Sequence, residues 1–434
     1  MEFSYISEVP AINEVKLTQF RVGLKHPLRL AGGRAVNVFY PILIEIFDEH
    51  NNYGVATIDN FYGSEYNGFG TAVTYEALRS HYIDYWMAFN RSIRKRTLFD
   101  HVLFLHSIKG ANPFAISGIE LALWDLIGRK RQKSIAELIW RAFFEISRTY
   151  FQGTDLGYLR KYSKKGIQAR LPIGIHESIT QYDRILEYAL KKKISTVKIM
   201  ISTNFEQVIH LIEHIRDVYP SLKIDTDANG IFNPSELLPM SKIINFYRNL
   251  DKFNIGTHEQ PFPLRFDQVK LFRELQQEIK TPLCMDESIR SLHDINEFTR
   301  IAKELQRPMF CNVKIHRVGG LTQALRVLNH LENYNQDAGK AQVQPLPGTM
   351  PDQEPSAMCA ATLFSLPIFR RGGDVVDHDY WFNNSIFKSS LESVNGRVQA
   401  NFQKRGIGFD VDEEELKNSV VRQWKYSKNA SNHV

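Results

Sequence analysis

Apolar residues in this chain follow two periods. Residues 13–60 read as β-strands: Val36 to Phe47 is rich in β-branched and aromatic residues, and Asp48 to Gly54 supplies the turn that ends the run. From about Thr74 the period becomes helical. Asn112-Pro113 opens a helical pattern that runs through Ile116, Ile119, Leu123, Leu126 and Ile127 to Ile139. Strands followed by helices predict an α+β domain over residues 1–145. Strand and helix then alternate from Ala169 onward. Helices are expected at 178–192, 204–218, 235–249, 266–279, 291–304, 320–333 and 354–365. Strands are expected between them at 195–200, 222–227, 253–258, 282–286, 309–315 and 342–346. A unit of roughly 30 residues is the spacing of a (β/α) barrel, whose chemistry lies at the C-terminal ends of its strands. The barrel is assigned to residues 169–370 and a C-terminal segment to 371–434. The stretch between Ile139 and Ala169 has no clear period and reads as a linker or insertion; the tail beyond Lys417 is polar and expected to be loosely held.

Five of the predicted barrel strands end in a charged residue: Lys198, Asp227, Glu259, Asp286 and Lys314. Three carboxylates on successive strand ends offer hard oxygen ligands suited to Mg²⁺. Helix capping competes with this reading at Asp286, and an Asx turn competes at Asp227. Glu259, followed by Gln-Pro, is not a favoured cap. Lysines one unit before and one unit after the triplet would flank whatever the metal holds, and a buried lysine near a divalent cation can serve as a base.

Bulk properties narrow the class without changing it. The 434 residues are 43% hydrophobic and 24% charged, with a net charge of +6. The basic clusters Arg129–Arg131 and Lys191–Lys193 fall in helical contexts and read as solvated faces, which argues against a nucleic-acid partner. Cys284, Cys311 and Cys359 are widely spaced in apolar runs, as expected of free thiols in a reducing cytosol. No signal peptide and no membrane-length apolar run is evident, so a cytoplasmic protein is expected.

The motifs resemble those of the enolase superfamily, in particular its o-succinylbenzoate synthase and N-acylamino-acid racemase group. Ser117-Gly-Ile-Glu-Leu-Ala-Leu-Trp124-Asp125 resembles the helix that closes the family's capping domain. Asp227-Ala-Asn229, Glu259-Gln-Pro261 and Asp286-Glu-Ser288 resemble its three metal-ligand motifs. Asn312-Val-Lys314, with Arg317-Val-Gly-Gly-Leu321, resembles the strand bearing one catalytic lysine. Pro347-Gly-Thr-Met350, Gly373-Asp374 and Asp379-Tyr-Trp381 echo the C-terminal pattern. The resemblance implies a modified TIM barrel with an N-terminal α+β capping domain completed by the C-terminal segment. It further implies Mg²⁺ on Asp227, Glu259 and Asp286, with Lys314 and Lys198 as catalytic residues. Asn229, Asn312, Met200 and Gly348 would meet the substrate. The implied partner is a small carboxylate, and a homo-oligomer is expected.

The chain departs from the family at one chemically decisive position. The family carries Lys-x-Lys on its second strand, with the second lysine as base; here the segment is Lys198-Ile-Met200. Lys198 matches the first lysine, and methionine carries no proton to exchange. His176 and His258, at strand ends, are candidate substitutes. The implied reaction is Mg²⁺-dependent enolisation, as in the o-succinylbenzoate synthase dehydration of menaquinone biosynthesis. N-acylamino-acid racemisation and a catalytically impaired metal-binding member are the alternatives.

Overall fold

The computed structural model describes residues 9–31, 33, 35–63, 68–92, 96–146, 166–263 and 269–427. Strands β1 (Ile12–Phe20), β2 (Val22–Arg29), β3 (Ala35–Phe39), β4 (Ile42–Asp48) and β5 (Tyr53–Ile58) come first. A two-residue strand β6 (Ile167–Gln168) precedes the barrel strands β7 (Arg170–Ile173), β8 (Thr196–Met200), β9 (Lys223–Asp227) and β10 (Ile255–Glu259). The barrel continues with β11 (Leu283–Met285), β12 (Met309–Val313) and β13 (Val343–Pro347); β14 (Arg397–Val398) and β15 (Val420–Ser427) follow. The cap is a four-stranded antiparallel sheet in the order β15-β1-β4-β5, with β2 and β3 forming a separate hairpin.

Helix Pro113–Lys130 lies on the cap sheet, and it starts where the sequence predicts. The Asn112 side chain accepts hydrogen bonds from the backbone N–H groups of Phe114 (3.0 Å) and Ala115 (3.2 Å), and Pro113 occupies the first turn. Every residue from Phe114 to Gly128 is buried, so the helix is packed on all sides. Gly54 on β5 permits the close approach, since a Cβ there would lie 2.2 Å from the carbonyl oxygen of Ala122. The helical pattern predicted through Ile139 is in fact two helices, Pro113–Lys130 and Ile135–Ile146. Gly406 intervenes: its N–H donates to the Lys133 carbonyl (2.8 Å), and its carbonyl accepts from the Ile135 N–H (2.7 Å). The rest of the predicted linker, residues 147–165, lies outside the described residues.

The barrel strands form one parallel sheet in the order β13-β12-β11-β10-β9-β8-β7. Their cores, such as Thr196–Met200, are buried on both faces, as parallel strands covered by helices must be. The segment Gly373–Asp374 closes the curl between its two edges. The Gly373 carbonyl accepts from the Arg170 N–H (2.7 Å) on β7, and the Asp374 N–H donates to the Pro347 carbonyl (3.4 Å) on β13. Helix starts differ slightly from expectation where proline intervenes. Helix Met240–Leu250 begins later than predicted because Pro239 takes its N-cap.

The tail from Lys417 to Ser427 is not loose, and residues 428–434 lie outside the described residues. Helix Glu413–Ser419 leads into β15, which pairs antiparallel with β1 in the register Leu17↔Trp424. Its alternating exposure puts Trp424 and Tyr426 against the core, a period-two pattern that the polar composition conceals. No helix among the described residues is long and apolar enough to cross a membrane.

Cap and barrel are joined at Glu120. Its Oε1 accepts from Trp124 Nε1 (3.0 Å) and from the backbone N–H and hydroxyl of Thr322 (2.7 Å each), at the start of barrel helix Leu321–Asp337. Burial raises the Glu120 pKa to about 7, against the pull of the Thr322 and Trp124 hydrogen bonds. The folded protein therefore holds a proton that the unfolded chain releases above its ordinary value of 4.5. This contribution to stability is complete below that value and is lost as pH rises through about 7. Urea unfolding at pH 4.5 and pH 8 should show a smaller loss for Glu120→Gln than for the native chain. The two losses should differ on the order of 3 kcal/mol, and equal pH slopes would contradict the assignment.

Candidate active site

Strand alternation puts every second residue of β8 and β9 into the barrel, which explains why Lys198 and Met200, and Asp225 and Asp227, act in pairs. Lys198 lies opposite Asp225 in the register, and Met200 opposite Asp227. Glu259 at the end of β10 pairs with Asp227 on one side and Cys284 on the other. Asp286 and Lys314 directly follow β11 and β12. All five predicted strand-end charges are thus at one mouth, each no more than 6% exposed.

Buried charges at this density require partners, and the structure supplies them in two groups. In the first, the Lys198 ammonium lies 3.0 Å from Asp227 Oδ2, 2.8 Å from Glu259 Oε1 and 2.9 Å from Asp374 Oδ2. Beneath it, Arg170 on β7 donates to Asp374 (2.6 Å), Asp225 (3.2 Å) and Glu259 (3.4 Å). Arg371 takes the other oxygen of Asp225 at 2.7 Å. In the second group, Asp286 is bracketed by Lys314, 2.9 Å from its Oδ2, and by Arg317 on its Oδ1.

These contacts set the charge states. Burial pulls the Lys198 pKa down, but Asp227, Asp374 and Glu259 more than offset it, and the amine is held well above the ordinary lysine value. Lys198 is therefore a fixed positive charge. Burial raises Glu259 to about 7 and also raises Asp227, each partly countered by Lys198. Burial works the same way on Asp286, but Arg317 and Lys314 overcome it and hold that carboxyl well below the usual carboxylate range.

The remaining predicted residues fall around this core. Asn229 folds back on Asp227 Oδ1 through its backbone N–H (2.9 Å) and side-chain Nδ2 (3.1 Å). Asn312 Nδ2 donates to Glu259 Oε1 at 2.9 Å. Gly348 makes room for that asparagine, since a Cβ at 348 would lie 1.6 Å from Asn312 Oδ1. Met200 lines the same cavity as Lys198 and Asp227, but on an apolar wall. It packs with Leu28, Leu30, Phe39, Phe61, Met350 and Phe382 in an apolar cluster contributed largely by the β2–β3 hairpin. That cluster roofs a cavity of about 40 Å³, whose floor includes Lys198, Asp227, Asn229, Lys314 and Asp374.

Neither candidate histidine reaches this cavity. His258 is fully buried on the other face of β10, with Nδ1 2.7 Å from Thr226 Oγ1 and its ring 4.7 Å from that of Tyr247. Burial pushes its pKa down to about 4. His176 stacks edge-on against Tyr182 with ring centroids 5.0 Å apart.

Sequence reasoning missed Arg170, Asp225 and Arg371 as parts of the charge web. Arg170 and Asp374 are 204 positions apart, and no local pattern links them. It also missed Asp59, His316 and Asp352. Among the described residues, this is the group of three whose ligand atoms all lie within 4.8 Å of one another. The oxygens of Asp227, Glu259 and Asp286 stand farther apart than that. Their chemistry nonetheless fits Mg²⁺: the donors are all carboxylate oxygens, the negative charges of Asp227 and Asp286 push the Glu259 pKa up, and the space between two of them already attracts a cation in Lys198.

Known proteins agree with this architecture. The profile of enolase C-terminal domain-like proteins matches residues 181–415. That of the mandelate racemase and muconate lactonizing enzyme N-terminal domain matches residues 84–140. An o-succinylbenzoate synthase of Bacillus subtilis is 27% identical over 314 residues, 72% of each chain. An N-succinylamino acid racemase of Thermus thermophilus is 25% identical over 300 residues, 69% of each chain. A dipeptide epimerase of Cytophaga hutchinsonii, solved with Mg and the dipeptide D-Ala-L-Val, superposes with a TM-score of 0.74 at 16% identity, covering 96% of this chain and 99% of that one. With a seven-stranded parallel half-barrel, a capping domain of strands and helices, and a family match across more than half its length, the chain belongs to the enolase superfamily.

Proposed function

We propose that this protein is a Mg²⁺-dependent lyase of the o-succinylbenzoate synthase type, in which Lys314 is the single base. The observation that carries the reading is the asymmetry of the mouth: Lys314 lines the cavity on one side, and Met200 stands in an apolar cluster on the other. Asp227, Glu259 and Asp286 would hold the metal, which when bound stabilises negative charge on the substrate carboxylate as its α-proton leaves. Lys314, in its neutral amine form and released from Asp286, takes that proton on Nζ, and the electron pair of the broken C–H bond moves toward the carboxylate. When the electrons return, the C–O bond to the leaving hydroxyl breaks, and Lys314 returns its proton to that oxygen, so that water leaves. One base suffices for this elimination. Racemisation needs a proton exchanged on each face, and Met200 supplies none. Arg317 keeps Asp286 neutralised while Lys314 turns to the substrate.

Lys198 in this reading is a positioning charge and not a base. It keeps Asp227, Glu259 and Asp374 from repelling one another in a region of low dielectric.

Dehydration of 2-succinyl-6-hydroxy-2,4-cyclohexadiene-1-carboxylate, followed by absorbance, should require Mg²⁺, stop with EDTA and recover on adding the metal back. Lys314→Ala should lose about 10²–10⁴-fold in rate. Activity no greater than that of Mg²⁺ alone would remove the reading. With N-succinyl amino acids in D₂O, one enantiomer alone should exchange its α-proton, without inversion. Met200→Lys adds an amine on the opposite face and should turn this exchange into slow racemisation, measured by chiral chromatography, while lowering thermal stability because a charge enters an apolar cluster. Lys198→Met should cost about 3–5 kcal/mol of stability at pH 8, the typical effect of leaving buried charges unpaired. The cost should shrink at pH 5, where the abandoned carboxylates can take up protons. An equal cost at both pH values would show that Lys198 does not neutralise them.

A further inference from the structure

A second polar centre adjoins the proposed site on the far side of Lys314, which lines both cavities. Asp59 follows the end of β5 in the cap, His316 sits in the turn Ile315–Val318 after β12, and Asp352 lies in the loop after β13. Three segments far apart in sequence therefore bring two carboxylates and one imidazole together, with ligand atoms all within 4.8 Å of one another. Asp59 is fully buried and His316 is 4% exposed.

The arrangement is built in detail and left short of positive charge. Asp59 Oδ2 accepts from Thr57 Oγ1 at 2.8 Å, which orients the carboxylate, while its Oδ1 is buried without a hydrogen-bond partner. Asp352 Oδ1 is buried and likewise without one. His316 is held from behind, with Nδ1 2.9 Å from Ser117 Oγ. Its Nε2 faces inward, 3.1 Å from Ser356 Oγ and 4.0 Å from Asp59 Oδ2. Ser117 behind Nδ1 orients the ring as outer-sphere partners orient metal-binding histidines, and a metal on Nε2 would displace that nitrogen's hydrogen bond to Ser356. A small cavity of about 10 Å³ opens beside His316, Asp352 and Ser356. Lys314 is the nearest amine that acts on Asp352, but its own ion pair is with Asp286. Asp59 is fully buried and Asp352 half-buried, each keeps an orphaned buried oxygen, and no lysine or arginine among the described residues is ion-paired to either, so a cation would offset their charge.

We infer that Asp59, His316 and Asp352 form a second divalent-metal site, distinct from the Asp227, Glu259 and Asp286 set. The mixed oxygen and nitrogen donors suit a first-row transition ion such as Zn²⁺, Mn²⁺ or Co²⁺ better than Mg²⁺. Ser117 and Thr57 are its positioning residues. The inference does not depend on the reaction proposed for the barrel mouth.

Equilibrium dialysis of the full chain against CoCl₂, with proton NMR of the loaded protein, tests it. The expected result is two Co²⁺ per chain and a strongly shifted exchangeable imidazole N–H resonance from His316. The double variant Asp227→Asn, Asp286→Asn should keep one Co²⁺ and that resonance. His316→Gln should lose both the resonance and one Co²⁺ while the other ion remains. If His316→Gln does not fold, as judged by circular dichroism, Asp59→Asn decides, with the same loss expected. A shifted imidazole resonance that survives these substitutions marks a surface histidine and overturns the proposal. So does a single Co²⁺ that disappears with the Asp227 and Asp286 double variant.

Discussion

The mouth of this barrel depends on one electrostatic constraint: carboxylates packed at its strand ends must be neutralised without water. Lys198 and Arg170 do this from inside the barrel. Each touches three carboxylates, and Glu259 and Asp374 are shared between them. Removing either would leave buried like charges facing one another, which costs far more than an intact pair contributes to stability. The same constraint ties site to fold. Asp374 belongs to the segment that closes the barrel between β7 and β13, so sealing the sheet and balancing the charge of the mouth are one structural act.

The character of the two walls follows from what covers them. On one side, Lys314 after β12 and Thr349 after β13 bring polar groups to the cavity. On the Met200 side, the β2–β3 hairpin brings in Leu28 and Leu30, with Phe61 alongside. Methionine fits that setting because its unbranched, polarisable side chain fills irregular apolar gaps. A cavity of about 40 Å³ is far below the roughly 300 Å³ usual for small-molecule pockets. The apolar contacts around Met200 keep that wall of the cavity closely packed.

Much of the frame was legible in the sequence because its signals are local. The predicted strand 195–200 and helix 204–218 match Thr196–Met200 and Phe205–Val218 to within a residue, since buried runs and amphipathic periods are written in consecutive positions. Asn112-Pro113 announced its helix for the same reason. What stayed hidden depends on distance. Arg170 reads as one more strand residue until Asp374 arrives from 204 positions away. His316 looks like part of a lysine-bearing motif until Asp59 and Asp352 surround it. The tail was misjudged because β15 is an edge strand, and its alternation of Trp424 and Tyr426 with polar residues gains meaning only against β1.

That last pairing carries a consequence for how the molecule is made. The cap sheet has β15 at its edge, so Leu17 waits for Trp424, on the far side of the whole barrel. During synthesis β1 emerges long before its partner, and it presents an unpaired edge until the whole barrel between β1 and β15 has left the ribosome. Contacts of such long sequence separation form late and slowly. The cap that roofs the site is therefore begun before the barrel and finished after it.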